Sequence, residues 1–273
     1  MGVMPPTIRQ PAVAGRFYPR DANALRADVN SYLTPEQPTV PALGCVVPHA
    51  GYMYSGHVAG AVFARLEIPQ HCILLCPNHT GLGQPLSIMS SGAWLTPLKT
   101  SAIASHIAEQ LKQSFPLLTE DSDAHRAEHA AEVELPFLQI LRPGVQFVPI
   151  AIGTGHYEVL EALGHAIAEV LAKQNDRILI IASSDMNHYE NDAITRIKDH
   201  KAIDRILALD PKGLFEVVMK EEISMCGYGP TVAMLTAARE LGATRADLVK
   251  YATSGDVSGD RNMVVGYAGL LIS

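Results

Sequence analysis

The chain has 273 residues, 48% hydrophobic and 18% charged, with a formal net charge of -7. That length and apolar content suit one large domain with a substantial core, and the negative balance argues against a sequence-independent nucleic-acid surface. The longest apolar runs, CILLC at 72–76 and ILIIAS at 178–183, are far short of the roughly 20 residues that cross a bilayer. The opening MGVMPPTIRQ has no cationic start and no apolar h-region, so no signal peptide is expected. Pro6 departs from the myristoylation pattern. The 4 cysteines, Cys45, Cys72, Cys76 and Cys226, lie mostly in apolar strand-like runs. With no secretion signal, they point to a reducing, cytoplasmic setting rather than a disulfide scaffold.

In chain order, helical periodicity predicts a helix over 22–33, and an apolar run predicts a strand over 44–48. A helix over 56–66 and a strand over 72–77 follow, then strand and loop over 84–98. Helices are predicted over 101–114 and 128–141, a strand over 146–152, a helix over 157–173 and a strand over 177–183. Helices over 193–209 and 230–241 precede two final strands, 246–253 and 264–272. No Gly/Ser/Pro-rich linker and no repeat divides this alternation. It predicts a single α/β domain over 1–273 with a central mixed β-sheet flanked by helices.

In such sheets ligands gather beyond the carboxyl ends of the strands. The residues just past the apolar runs are therefore informative. The run GCVVP is followed by His49, CILLCPN by His79, and ILIIASS by Asp185 and then His188. The run QFVPIAIGTG leads to His156, which reads as the N-terminal residue of the next helix. A single strand-end histidine is usually a turn or capping residue. His49, framed by Pro48 and Gly51, and His79, framed by Pro77 and Gly81, sit in tight turns that aim a side chain.

A second constellation is DAHRAEHAAEVELP at 123–136. On a helix the pairs His125/His129 and Glu128/Glu132 would each share a face, as would His129 and Glu132. Such spacing suits a metal, but it also suits a solvated helix start with acidic first-turn residues. Cys226, in MCGYGP before a predicted helix, is either a ligand or nucleophile, or a small buried hydrophobe.

The ordered stretches PHAGYMYSG, PNHTG, DAHRAEHAAEVELPFLQ, SSDMNHY and MCGYGP resemble the Memo family (mediator of cell motility; AmmeMemoRadiSam system protein B). PAVAGRFYP near the start and SGD with VVGYAG near the end extend the resemblance over nearly the whole chain. It implies a fold like that of the class III extradiol (LigB-like) dioxygenases, whose non-haem Fe(II) is held by two His and one Glu. It further implies a His2Cys metal site at His49, His79 and Cys226, with Asp185 and His188 as a neighbouring acid/base pair. His129 and Glu132 would line the same pocket. Tyr52, Tyr54, Tyr189 and Tyr228 flank the motifs and either line that pocket or are half-buried packing residues.

Iron(II) is the expected cofactor, with copper and zinc made competitive by the softer thiolate. Catechol cleavage does not follow from the fold. Three classes stay open: a metal-dependent oxidoreductase with an unidentified small-molecule substrate, a metal- or peptide-binding protein using the same cleft, and a hydrolase with Cys226 as nucleophile and His188 as base. The resemblance also implies a pathway link to a radical S-adenosylmethionine protein and an AMMECR-type protein. Nucleic acid and membrane are not expected partners.

Overall fold

The computed structural model describes residues 7–34 and 38–273. Residues 1–6, which carry the myristoylation reading and part of the signal-peptide reading, lie outside the described residues. The first elements are β1 (Ile8–Arg9) and α1 (Ala22–Tyr32), the latter capped by Asp21, whose carboxylate accepts the amides of Asn23 and Ala24. The chain then forms β2 (Gly44–Val47), α2 (Tyr52–Ala64), β3 (His71–Pro77), β4 (Leu86–Ile88), β5 (Ala93–Leu95) and β6 (Thr100–Ala102). Next come α3 (Ser105–Ser114), β7 (Thr119–Glu120), α4 (Asp123–Arg126), α5 (Leu135–Leu141), β8 (Gln146–Ile152) and α6 (Tyr157–Leu171). After β9 (Ile178–Ser183) and β10 (His188–Glu190) come α7 (Asp192–Leu207), α8 (Pro211–Lys220) and α9 (Tyr228–Glu240). The last elements are β11 (Ala246–Thr253), α10 (Ser254–Ser258) and β12 (Val264–Ile272).

The main sheet is mixed. Its centre is four parallel strands in the order β2-β9-β3-β8. β12 extends it antiparallel beside β2, and β4 antiparallel beside β8. β10 and β11 pair with β12, β7 pairs with β4, and β1, β5 and β6 form a separate small sheet. Every residue of β2 and β9 is buried. That suits unbroken apolar strands covered on both faces by helices. α9 covers one face, packing on α6 and on β2, β3 and β9. β2 and β3 follow one another in sequence, yet β9 lies between them. The loops leaving these strands at their carboxyl ends therefore converge on one spot.

The predicted single-domain α/β architecture is the observed one, and several element boundaries coincide with it. Two predictions need correction. A helix over 128–141 would place Pro136 in its interior, where the ring lacks a donor and clashes with the preceding turn. In the structure Pro136 lies in the first turn of α5, and an irregular stretch at 128–129 leads into tight turns over 130–134. The predicted 101–114 helix starts at Ser105, because Thr100–Ala102 pairs antiparallel with Ala93–Leu95. Helix α8 was not predicted as an element. Among the described residues, no helix is long and apolar enough to cross a membrane.

Candidate metal centre

His49 leaves the end of β2, and its backbone N–H donates to Asp185 Oδ1 at 2.8 Å. Asp185 comes from the loop after β9, so this bond ties two strand ends together. His49 is 1% exposed. Its Nδ1 lies 2.8 Å from Ser183 Oγ, and its Nε2 lies 3.2 Å from Cys226 Sγ. Burial, with His79 nearby, lowers its imidazole to about 3, so the ring is neutral and its lone pair is available as a ligand.

His79 leaves the end of β3. Its Nδ1 lies 2.9 Å from Glu128 Oε1 and its backbone N–H donates to Glu128 Oε2 at 2.6 Å. Glu128 also accepts the amides of His129 and Ala130. Burial alone would raise the Glu128 carboxyl, but the His79 bond, the His79 charge and these amides draw it down to about 2. For His79 the balance runs the other way. Burial lowers it, but the Glu128 bond and charge outweigh burial and raise it overall.

His129 is brought in by the irregular stretch at 128–129 rather than by a helix face. His49, His79 and His129 each offer one ligand nitrogen, and these atoms all lie within 4.8 Å of one another. The His79 and His129 rings stack at 4.7 Å, and both meet His49 edge-on. Burial, with His49 next, lowers His129 to about 4. The other side of its ring rests on Phe17, with centroids 4.7 Å apart.

One pair of the donor set passes a simple geometric test. Metal–sulfur and metal–nitrogen bonds of about 2.3 and 2.0 Å put two ligands of one tetrahedral ion about 3.5 Å apart. The 3.2 Å between Cys226 Sγ and His49 Nε2 is close to that. Each of His49 and His79 has its Nδ1 held by an oxygen, leaving Nε2 for an ion. Cys226 stands outside the three-imidazole group but against its edge. Its thiol is pushed up by burial and by Asp185, so it is a neutral S–H in the absence of a cation.

The Cys226 position depends on Gly227. A side chain there would meet Ser183 O at 2.3 Å and Ser184 Cβ at 2.4 Å. Only glycine lets this loop come down onto the end of β9.

Three expected placements change. Glu132 does not face the imidazoles. Its carboxylate is taken up by the Arg9 guanidinium, the Tyr18 hydroxyl and the amides of Ala12 and Val13. The reason is the missing helix, which removes the shared face with His129. His125 is likewise turned away, buried beside Trp94, with neither ring nitrogen hydrogen-bonded among the described residues.

His188 is held by Ser224 rather than Asp185. Its Nδ1 is 2.9 Å from Ser224 O and its N–H donates to Ser224 Oγ. Asp185 feels the His188 charge but gives its hydrogen-bonding oxygen to His49, and burial raises its carboxyl.

Tyr54 lines a cavity of about 460 Å³ with Arg16, Phe17, Tyr18, Tyr52 and Met53. Phe17 forms the wall between this cavity and His129. Tyr52 donates its hydroxyl to Val133 O and is a packing residue. Tyr189 is exposed and in the left-handed region at φ 61. His156 is exposed at the start of α6, outside the group.

Sequence reasoning named Glu128 only as half of a helical carboxylate pair, and did not single out Ser183, Ser224 or Glu134 as site residues. A signal was present for the glutamates. Four carboxylates in an Ala-rich stretch ahead of a proline make a poor amphipathic helix, and buried carboxylates require dedicated donors.

A family model described as a Memo-like protein matches residues 9–271. A MEMO1 family protein of Methanothermobacter thermautotrophicus is 43% identical, covering 96% of this chain and 99% of its own length. One from Methanopyrus kandleri is 41% identical over 96% of this chain and 98% of its own. One from Pyrobaculum aerophilum is 42% identical over 97% and 98%. In shape the chain is similar to the crystal structure of an uncharacterized protein from Escherichia coli K12. That match has a TM-score of 0.50 at 12% identity, over 84% of this chain and 98% of the other.

Proposed function

The chain belongs to the Memo family, and from that premise we propose that it holds one first-row transition metal, iron(II) or copper, and acts as a metal-dependent redox protein. The observation that carries this reading is the group of three imidazoles whose ligand atoms lie within 4.8 Å of one another. His49 and His79 are already oriented by oxygens on their far nitrogens. His49, His79 and His129 would hold the ion, and Cys226 would join them as a thiolate. Zinc suits the same ligands but would supply no electron transfer.

When bound, the metal supplies Lewis acidity and one-electron chemistry. The chain's own residues do the rest. Asp185 fixes the His49 backbone. Glu128 keeps the His79 proton on Nδ1. His188, fixed by Ser224, is left with Nε2 to take or give a proton at the rim. The cavity behind Phe17 has the size and aromatic lining of a small-molecule site.

A non-catalytic metal- or peptide-binding role for the same cleft is the second reading. The half-open cavity beside Tyr54 and the exposed Met53 favour it. The hydrolase reading has less support. Cys226 Sγ lies against His49, not His188, and burial works against a free thiolate.

The test is metal analysis of untagged protein. Wild type is expected to hold about one metal per chain, with His49→Ala and His129→Ala largely empty and Cys226→Ala depleted. Equal metal in wild type and His49→Ala would refute the metal centre. Anaerobic iron(II) loading followed by oxygen uptake with a catechol panel separates the redox reading from the binding reading.

A further inference from the structure

Beneath His49 lies a fully buried group that the metal chemistry does not use. Glu134 is 0% exposed. Its Oε1 is 2.9 Å from Ser183 Oγ, and its Oε2 has no hydrogen-bond partner among the described residues. The charge that bears on it comes from Asp185, an anion. This is a poor setting for a carboxylate, which needs a cation or several donors when buried.

Counting hydrogens around Ser183 settles the arrangement. Its Oγ has three neighbours: Ala130 O at 3.0 Å, Glu134 Oε1 at 2.9 Å and His49 Nδ1 at 2.8 Å. A hydroxyl has one hydrogen and two lone pairs. Ala130 O can only accept, so it takes the serine hydrogen. The two lone pairs then need two donors, and only a Glu134 O–H and a His49 Nδ1–H can supply them.

If Glu134 were ionised, the serine hydrogen would go to it. Ala130 O would lose its bond, and a buried charge would be left with one donor. If His49 carried its hydrogen on Nε2, the serine would have to donate to Nδ1, and Ala130 O would again be orphaned. One assignment satisfies every atom except Glu134 Oε2, which then is a carbonyl oxygen, the cheaper kind to leave unpaired.

We propose that Glu134 is a positioning residue held as a neutral carboxylic acid, and that through Ser183 it locks His49 in the Nδ1–H form with Nε2 free toward Cys226. Burial raising the Glu134 carboxyl well above its ordinary range agrees with this geometry. The metal half of the inference rests on the proposed metal centre. The tautomer half does not, since it is read in metal-free protein.

The experiment uses full-length metal-free wild type, Glu134→Gln, Glu134→Leu and Ser183→Ala. In infrared difference spectra at neutral pH, Glu134→Gln is expected to remove a carboxylic-acid C=O band. In nitrogen-15 spectra, wild-type His49 is expected as the Nδ1–H tautomer. Glu134→Gln keeps it, because the amide donates to Ser183 as the acid does. Glu134→Leu and Ser183→Ala are expected to give mixed tautomers. Their metal affinity is expected to fall about 10–100-fold, as for other outer-shell partners of metal ligands, with Glu134→Gln like wild type.

Loss of a carboxylate band instead, or a wild-type His49 protonated on Nε2, overturns the proposal. So does an unchanged tautomer in both Glu134→Leu and Ser183→Ala. If Glu134→Leu does not fold, the Gln and Ser183 variants and the wild-type spectrum still decide. If the tautomers behave as stated and no protein binds metal, the relay stands and the metal centre falls.

Discussion

Glu132 and Glu134 are two residues apart in one turn-rich segment, and both are 0% exposed. Their surroundings could hardly differ more. Glu132 receives the Arg9 guanidinium, the Tyr18 hydroxyl and two backbone amides. Glu134 meets one serine and, among the described residues, no other hydrogen-bond partner. The first is a charged anchor that ties the N-terminal segment to the body of the fold. The second forms the floor of the candidate metal centre and is best served by being neutral. Burial alone therefore does not decide what a glutamate does; the donors that meet it do.

The anchor predicts the largest effect. Arg9 also donates to the carbonyls of His125 and Glu128, and its guanidinium lies 4.3 Å over the Trp94 ring. Removing one partner of a buried ion pair strands the other and costs about 3–5 kcal/mol. Arg9→Ala or Glu132→Ala should lower the urea midpoint accordingly. Glu134→Gln should change it little. If Glu134→Gln proved as damaging as Glu132→Ala, the contrast between the two glutamates would be wrong.

Much of this was legible in sequence. Strands that are buried on both faces announce themselves as runs such as CILLC and ILIIAS, and of the residues after such runs His49, His79 and Asp185 lie together while His156 does not. Partners separated by a hundred residues or more were not legible. Glu132 is sequentially near His129 but meets Arg9, Ala12 and Val13, because a proline at 136 stops the helix that would have kept the two together. His188 likewise sits beside Asp185 in the chain, yet its ring is held by Ser224. Spacing predicts neighbours only along a regular element, and the site is built from turns.

A second effect has opposite signs in two regions. His129 drops from 6.5 to about 4 through burial and its imidazole neighbours. The unfolded chain then binds the proton more tightly. This contribution is fully present above about pH 6.5 and is lost as pH falls toward 4.

Asp199, beside β12, behaves in reverse. It accepts from Tyr251 and from the Asn187 amide, but burial raises it from 3.8 to about 7. Here the folded state binds the proton more tightly. The contribution is fully present below about pH 3.8 and is lost as pH rises through 7. On a scale of about 1.4 kcal/mol per pKa unit, the His129 effect is about 3 kcal/mol and the Asp199 effect about 4. In metal-free protein, His129→Asn should flatten the acid limb of stability against pH, and Asp199→Asn the limb approaching neutrality. If both variants moved the curve in the same direction, one of these assignments would be in error.

The smallest expected effect on stability is the most local, and it bears on which side of the site is rigid. Gly227 has no room for a methyl group against Ser183 O and Ser184 Cβ. Ser184 Oγ also accepts the Gly227 amide at 3.0 Å, so the loop is clamped from two directions. Gly227→Ala must move either the end of β9 or the Cys226 loop, and overpacking of this kind costs about 1–3 kcal/mol. The buried strand lies between two parallel neighbours, β2 and β3, so the loop should yield. Cys226 would then leave His49 while the three imidazoles stay together. Thiol alkylation of the metal-free variant should be faster than in wild type, with the His49 signals little changed. Large shifts at His49 together with unchanged alkylation would mean that the strand moved instead, and that the Cys226 loop is the rigid half of the site.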